Sequence, residues 1–162
     1  MRKYLLRQVT SNEISRINKY MSFTKCLAYG KEGEEYAKRL FNGYDELINA
    51  PDGKFSEWDF CLRYGDDKKF YEVKRDTYTS KTGNICIEFE SNSIPSGISV
   101  TTADYYIYIV EGEPVVYIIP VEDIKLMIAK EKYHKKMKGG YRWLSHFYLF
   151  RRELFDSYKH VV

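Results

Sequence analysis

Between residues 58 and 90 the chain carries three short runs that read as strands. In the first, Trp58, Phe60, Leu62 and Tyr64 fall on alternate positions, and in the third Ile85, Ile87 and Phe89 do the same. A period of two fits strands with one face on a core, and a helix cannot satisfy it. Strands are therefore expected over 58–64, 69–76 and 84–90, entered through the turn sequence Asn49-Ala50-Pro51-Asp52-Gly53-Lys54. Ile94-Pro95-Ser96-Gly97-Ile98 then breaks the regularity. Residues 104–110 and 114–121 follow as two buried strands around Glu111-Gly112-Glu113.

Helical signals flank this block. Residues 11–20 form a plausible helix with Ser11 or Asn12 as cap and Ile14, Ile17 and Met21 on one side. Residues 31–41 place Gly33, Ala37, Leu40 and Phe41 along one stripe, with Lys38 and Arg39 opposite. An amphipathic helix is expected over 121–132, its tail ended by Gly139-Gly140, and a late strand over 147–151. No repeat, low-complexity tract or linker divides the chain. One domain over 1–162 is expected: a core over about 30–120, an N-terminal helical extension, and a C-terminal helix and strand. The order predicts an α/β fold with a central mixed sheet flanked by helices.

Glu72-Val73-Lys74 lies inside the second strand, where two-residue alternation puts Glu72 and Lys74 on one face. A turn at Asp66-Asp67, or a loop over 65–68, sets Tyr64 opposite Lys69, Cys61 opposite Glu72 and Asp59 opposite Lys74. Asp59 and Cys61 then share the face of Glu72 and Lys74, while Trp58, Phe60, Tyr71 and Val73 fill the other. The plain reading of this group is a cross-strand ion pair in solvent. The chemical reading is a hard-cation site, in which two carboxylates, a main-chain carbonyl and waters form a partial shell. A cation there polarises a phosphate and lowers the pKa of a water, and Lys74 serves that water and offsets developing charge.

Asp59 followed by Glu72-Val73-Lys74 resembles the motif of the PD-(D/E)XK nuclease superfamily. Gly30-Lys31-Glu32-Gly33-Glu34 looks like the helical Gly-x-x-x-Glu that precedes the motif in several branches, archaeal Holliday-junction resolvases among them. Lys81-Thr82-Gly83-Asn84-Ile85-Cys86-Ile87-Glu88 and the segment from Pro95 to Asp104 are similar to stretches of short, phage-type nuclease-like proteins. Trp58, where the motif's name has proline, is a departure. The resemblance implies a restriction-endonuclease-like αβββαβ core, Mg2+ or Mn2+ dependence and phosphodiester hydrolysis. It implies Glu34, Asp59, Glu72 and Lys74 as catalytic residues, with Asp59, Glu72 and the Val73 carbonyl on the metal. Glu35 is the second choice for the helical acid. A homodimer is a candidate assembly.

Other residues carry two readings each. Glu88 joins the metal shell if its strand pairs beside residues 70–74, and is otherwise an exposed strand carboxylate. Ser96, Gly97, Thr101 and Thr102 suit phosphate contact or a simple turn and cap. Lys135, Lys136 and Lys138 touch nucleic acid or form a solvated face. The formal net charge of +3 does not by itself announce a nucleic-acid binder. Cys26, Cys61 and Cys86 are scattered without a CxxC pair, which argues against a disulfide framework or zinc knuckle. His134, His146 and His160 lack ligand spacing. No signal-peptide or membrane-spanning run is read, so the expected place is the cytoplasm, a host's if the chain is phage-encoded. The leading expectation is a metal-dependent deoxyribonuclease. A non-catalytic nucleic-acid-binding module on the same scaffold is the alternative, and a protein-interaction domain is the third reading.

Overall fold

Gly65, at φ +62°, sets the geometry of the central hairpin. In the computed structural model, which describes residues 23–140 and 143–162, strands β2 (Phe60–Tyr64) and β3 (Asp67–Asp76) are joined by Gly65-Asp66 alone. A glycine with positive φ in the first place of a two-residue loop suits the right-handed twist of the strands it joins. The Cα partners are Phe60–Tyr71, Cys61–Phe70, Leu62–Lys69, Arg63–Lys68 and Tyr64–Asp67. The expected register is thus corrected by two residues, an even shift that leaves the Phe60–Tyr64 side chains on their faces.

Helix α1 (Phe23–Arg39) and strand β1 (Glu46–Asn49) precede the hairpin. After it come a short helix α2 (Thr79–Thr82), β4 (Asn84–Ser91), β5 (Ile94–Pro95) and a 3-10 turn, Gly97–Ser99. Strands β6 (Tyr105–Val110) and β7 (Val115–Pro120), helix α3 (Val121–Ala129), β8 (Lys135–Gly139) and β9 (Ser145–Arg151) follow. A 3-10 segment, Arg152–Tyr158, leads into β10 (Lys159–Val161). The helix expected over 11–20 lies outside the described residues.

Six strands form a mixed sheet in the order β1-β2-β3-β6-β7-β10, in which β3 and β6 are parallel and the other pairs antiparallel. A parallel pair needs a long crossover, and here that crossover contains α2, β4 and β5. Alternation sorts the sheet's side chains into two cores. Phe60, Leu62, Tyr71, Ile107, Ile109 and Val116 pack with Ala37, Leu40 and Phe41. On the other face Tyr106, Tyr108, Val110, Tyr117 and Ile119 meet Ile85 and Ile87 of β4, Phe150 of β9, and Val121 and Ile124 of α3. The mixed central sheet is thus flanked by helices as expected, α1 on one face and α3 on the other, and a second sheet, β5-β4-β9-β8, covers much of the α3 face.

Two further corrections have local causes. Trp58 precedes β2, and its ring packs on Phe70 (5.1 Å between centroids) with the second core rather than beside Phe60. Helix α3 stops at Ala129, and Glu131 takes a positive φ of 52°. The basic run beyond it is an edge strand, not a helix tail. Lysines on an edge discourage pairing with other chains. For the strand of Glu88, whose pairing the sequence left open, β4 pairs with β5 and β9 and not with β3. No helix among the described residues is long and apolar enough to cross a membrane.

Candidate functional site

Strand β3 outruns its neighbour. Its residues 67–71 face β2, whereas residues 71–76 lie along β6. Ahead of Phe60 the chain leaves the ladder: Asp59 N–H donates to Tyr71 O (2.8 Å), and Ala50 N–H donates to Asp59 O (2.9 Å). The Asp59 carboxylate takes the place of a strand, its Oδ2 accepting Val73 N–H at 2.6 Å. In an extended strand the N–H and C=O of one residue point to the same edge, so the Val73 carbonyl is directed there too. Glu72 and Lys74 flank Val73 and point to the face that the second sheet covers.

Helix α1 reaches this edge from the opposite face. A Cβ on Gly33 would stand 3.3 Å from Arg75 Cβ, so the helix crosses very close to β3. Arg75 fixes the crossing: Nε meets Glu111 Oε2 at 2.9 Å, Nη1 donates to Tyr29 O at 3.2 Å, and the guanidinium lies 3.9 Å from the Tyr29 ring centroid. With Gly33 seated on β3, Glu34 is half-buried and feels the Asp59 charge.

The carboxyls here feel one another. Burial first, and then the Asp59 charge, push Glu72 up to about 8, against the pull of Lys74; Glu34 and Glu88 push the same way. Asp59 is raised by burial, with Val73 N–H, Lys74 and Lys38 opposing. Glu34 is raised by burial and then by Asp59. Crowded acids in a low-dielectric place hold protons unless a cation joins them. The donors suit a hard divalent cation: two half-buried carboxylates and a main-chain oxygen at a strand edge. Among the described residues no three His, Cys, Asp or Glu side chains form a ready cage, so solvent oxygen would complete such a shell. Tyr106, paired with Glu72 across β3 and β6, is buried, and its hydroxyl has no hydrogen-bond partner among the described residues.

Glu35 is exposed and pairs with Lys38 (2.6 Å), so the helical acid turned inward is Glu34. Lys38 departs from the expected solvent position: its side chain is only 12% exposed, and its charge acts on Glu34 and Asp59. Its spacing of four from Glu34 was the available signal. A cleft of about 460 Å³ adjoins it, lined by Lys38, Arg39, Asn42, Tyr44 and Asn49 among others. Tyr106 was also missed, because nothing in the sequence reports the parallel β3–β6 register that sets it beside Glu72.

Glu88 approaches Glu72 from the second sheet rather than as a neighbouring strand. Ser96 Oγ donates to Glu88 Oε1 at 2.8 Å. A Cβ on Gly97, which has φ +50°, would overlap the Glu88 carbonyl oxygen, so this close turn admits only glycine. Thr101 is withdrawn as a phosphate contact: it is buried, donates to Glu57 O (2.8 Å) and accepts Ala103 N–H (3.2 Å). Thr102 is exposed. Lys135, Lys136 and Lys138 are exposed on β8, with Lys136 Nζ 5.4 Å from the Tyr148 ring centroid. Strand β8 lies two places from β4 in its sheet, about 10 Å across at ordinary strand spacing. In comparisons with protein-family models, curated proteins and solved structures, nothing matches this chain.

Proposed function

We propose that the chain is a divalent-metal-dependent nuclease of the PD-(D/E)XK kind its motif resembles, hydrolysing phosphodiester bonds in DNA. The observation that carries this reading is the Asp59 carboxylate held on Val73 N–H, between Glu72 and Lys74, where β3 loses β2 as its neighbour; its charge reaches Glu34 and Glu72. The order α1, β1, β2, β3, α2, followed by β6 beside β3, supports an αβββαβ core with β4 and β5 inserted in the crossover.

Asp59, Glu72 and the Val73 carbonyl would hold Mg2+ or Mn2+, which when bound supplies Lewis acidity toward the scissile phosphate. Val73 N–H holds one Asp59 oxygen, which fixes the carboxylate's orientation. Lys74, on the same face of β3 as Glu72, orients the attacking water and offsets charge growing on the phosphate oxygens. Glu34 and Lys38 hold solvent on the helix side and set the local charge balance.

The test is a panel of labelled duplex, single-stranded and branched DNA and of RNA, incubated with Mg2+ or Mn2+. Cleavage of a DNA form that stops with EDTA is expected. Salt-sensitive binding without cleavage would instead assign the non-catalytic module, and neither binding nor cleavage would remove both. The exposed lysines of β8 give a separate expectation. Replacing Lys135, Lys136 and Lys138 together by alanine should weaken DNA binding evenly across sequences. The slope of log K against log salt should fall by about 2–3 if each lysine meets one phosphate. Fluorescence anisotropy at several salt concentrations measures it, and an unchanged slope leaves edge protection as their role.

A further inference from the structure

Tyr106 lies on β6 with its Cα opposite that of Glu72, and residues so paired share a face of the sheet. It is 0% exposed, and its hydroxyl has no hydrogen-bond partner among the described residues. Neighbouring phenols of the same layer are met: Tyr108 accepts Cys86 N–H at 3.1 Å, and Tyr117 accepts Arg152 Nε at 3.0 Å. The charges that reach Tyr106 are those of Glu72, Glu88 and Asp59. A neutral phenol has a proton to donate, and leaving a buried donor unmet among acceptors is costly.

We infer that the Tyr106 hydroxyl donates to an internal water molecule held from the other side by Glu72 and Glu88, and that this water sets the Glu72 carboxylate for the cation. Water is the chemistry the place selects. Buried water is found where several polar groups converge, typically with about three hydrogen bonds, and here one donor and two carboxylates supply that number. Ser96 occupies Glu88 Oε1, which leaves the second oxygen for the water. Gly97 holds the turn close enough for Ser96 to do so. Tyr106 is thus a positioning residue that acts through solvent, as outer partners of metal ligands commonly do. The inference rests on the metal site proposed above.

Calorimetric titration of the full chain with Mn2+ tests it, comparing wild type with Tyr106→Phe, Glu88→Gln and the double variant. Tyr106→Phe should bind Mn2+ about tenfold more weakly. Its kcat on the cleaved DNA should fall while KM holds. Glu88→Gln should also lose affinity, and the double variant should lose little more than the larger single loss, because both groups hold the same water. The melting temperature in EDTA gives a reading apart from activity. Loss of a water-bridged hydroxyl leaves it level or lower, whereas relief of an unmet one raises it by about 2–4 °C. Wild-type Mn2+ affinity in Tyr106→Phe, or such a rise, overturns the inference and leaves the metal site standing. If wild type itself takes no Mn2+, the metal site fails and the inference fails with it. Should Tyr106→Phe not fold, unaltered affinity in Glu88→Gln is decisive against it.

Discussion

Lys74→Ala is expected to slow Mg2+-supported DNA cleavage by about 10³-fold, within the range that a positioned acid, base or charge contributes. The melting temperature should stay within a few degrees of wild type. Lys74 acts on two acids whose pKa burial raises, and its charge opposes that rise at both Asp59 and Glu72. Its loss removes a cation from a place that is to hold another cation, so Mn2+ affinity should be kept or improved. Glu72→Gln should lose cleavage by as much, but through lost Mn2+ binding. Calorimetry beside single-turnover kinetics therefore separates the roles: one variant binds metal and fails to cut, the other does not bind it. Equal cleavage by wild type and both variants would mean that the nicking comes from elsewhere, on this chain or in the preparation.

The sequence made the acids and the lysine legible because their placement depends on parity. Strand alternation put Glu72 and Lys74 on one face. The hairpin's true register differs from the expected one by two residues, which changes partners but not faces. Gly65 was the missed clue, since a glycine before aspartate can form the whole two-residue loop. Trp58 was misplaced because alternation was carried past the point where Asp59 leaves the ladder. The same departure lets the Asp59 carboxylate meet Val73 N–H, so the error and the site have one cause. Long-range pairings were not legible. The parallel contact of β3 with β6 spans the whole crossover, and no local pattern reports that Tyr106 comes beside Glu72. The basic run 135–138 has one apolar residue, Met137, too few to show a period of two or of 3.6, so its edge-strand state came only from pairing with β9.

Without divalent ions, stability should fall as pH rises from about 6.5 to 8, by about 2 kcal/mol from the Glu72 titration in that interval. Burial and the Asp59 charge hold the folded Glu72 carboxyl up to about 8, while the unfolded chain releases that proton near its ordinary value of 4.5. Between those values the native state carries the extra proton, so the slope of unfolding free energy against pH is negative and levels off above the folded value. Asp59 and Glu34, also raised, act with the same sign. Three groups act otherwise. Burial lowers the pKa of His134 and His160, which favours the fold as pH rises toward 6.5. Glu113, lowered by Arg152, loses its contribution only below the ordinary carboxyl range. The interval above pH 6.5 is thus governed by the acid cluster. Urea unfolding in EDTA at several pH values should show the fall in wild type and a nearly flat line in Glu72→Gln, which becomes the more stable protein at pH 8. Saturating Mn2+ should restore wild type at pH 8, because it binds the ionised carboxylate, and do little for the variant. A wild-type curve that is flat or rising between pH 6.5 and 8 in EDTA would place Glu72 in solvent, away from Asp59, and the cluster would lose its centre.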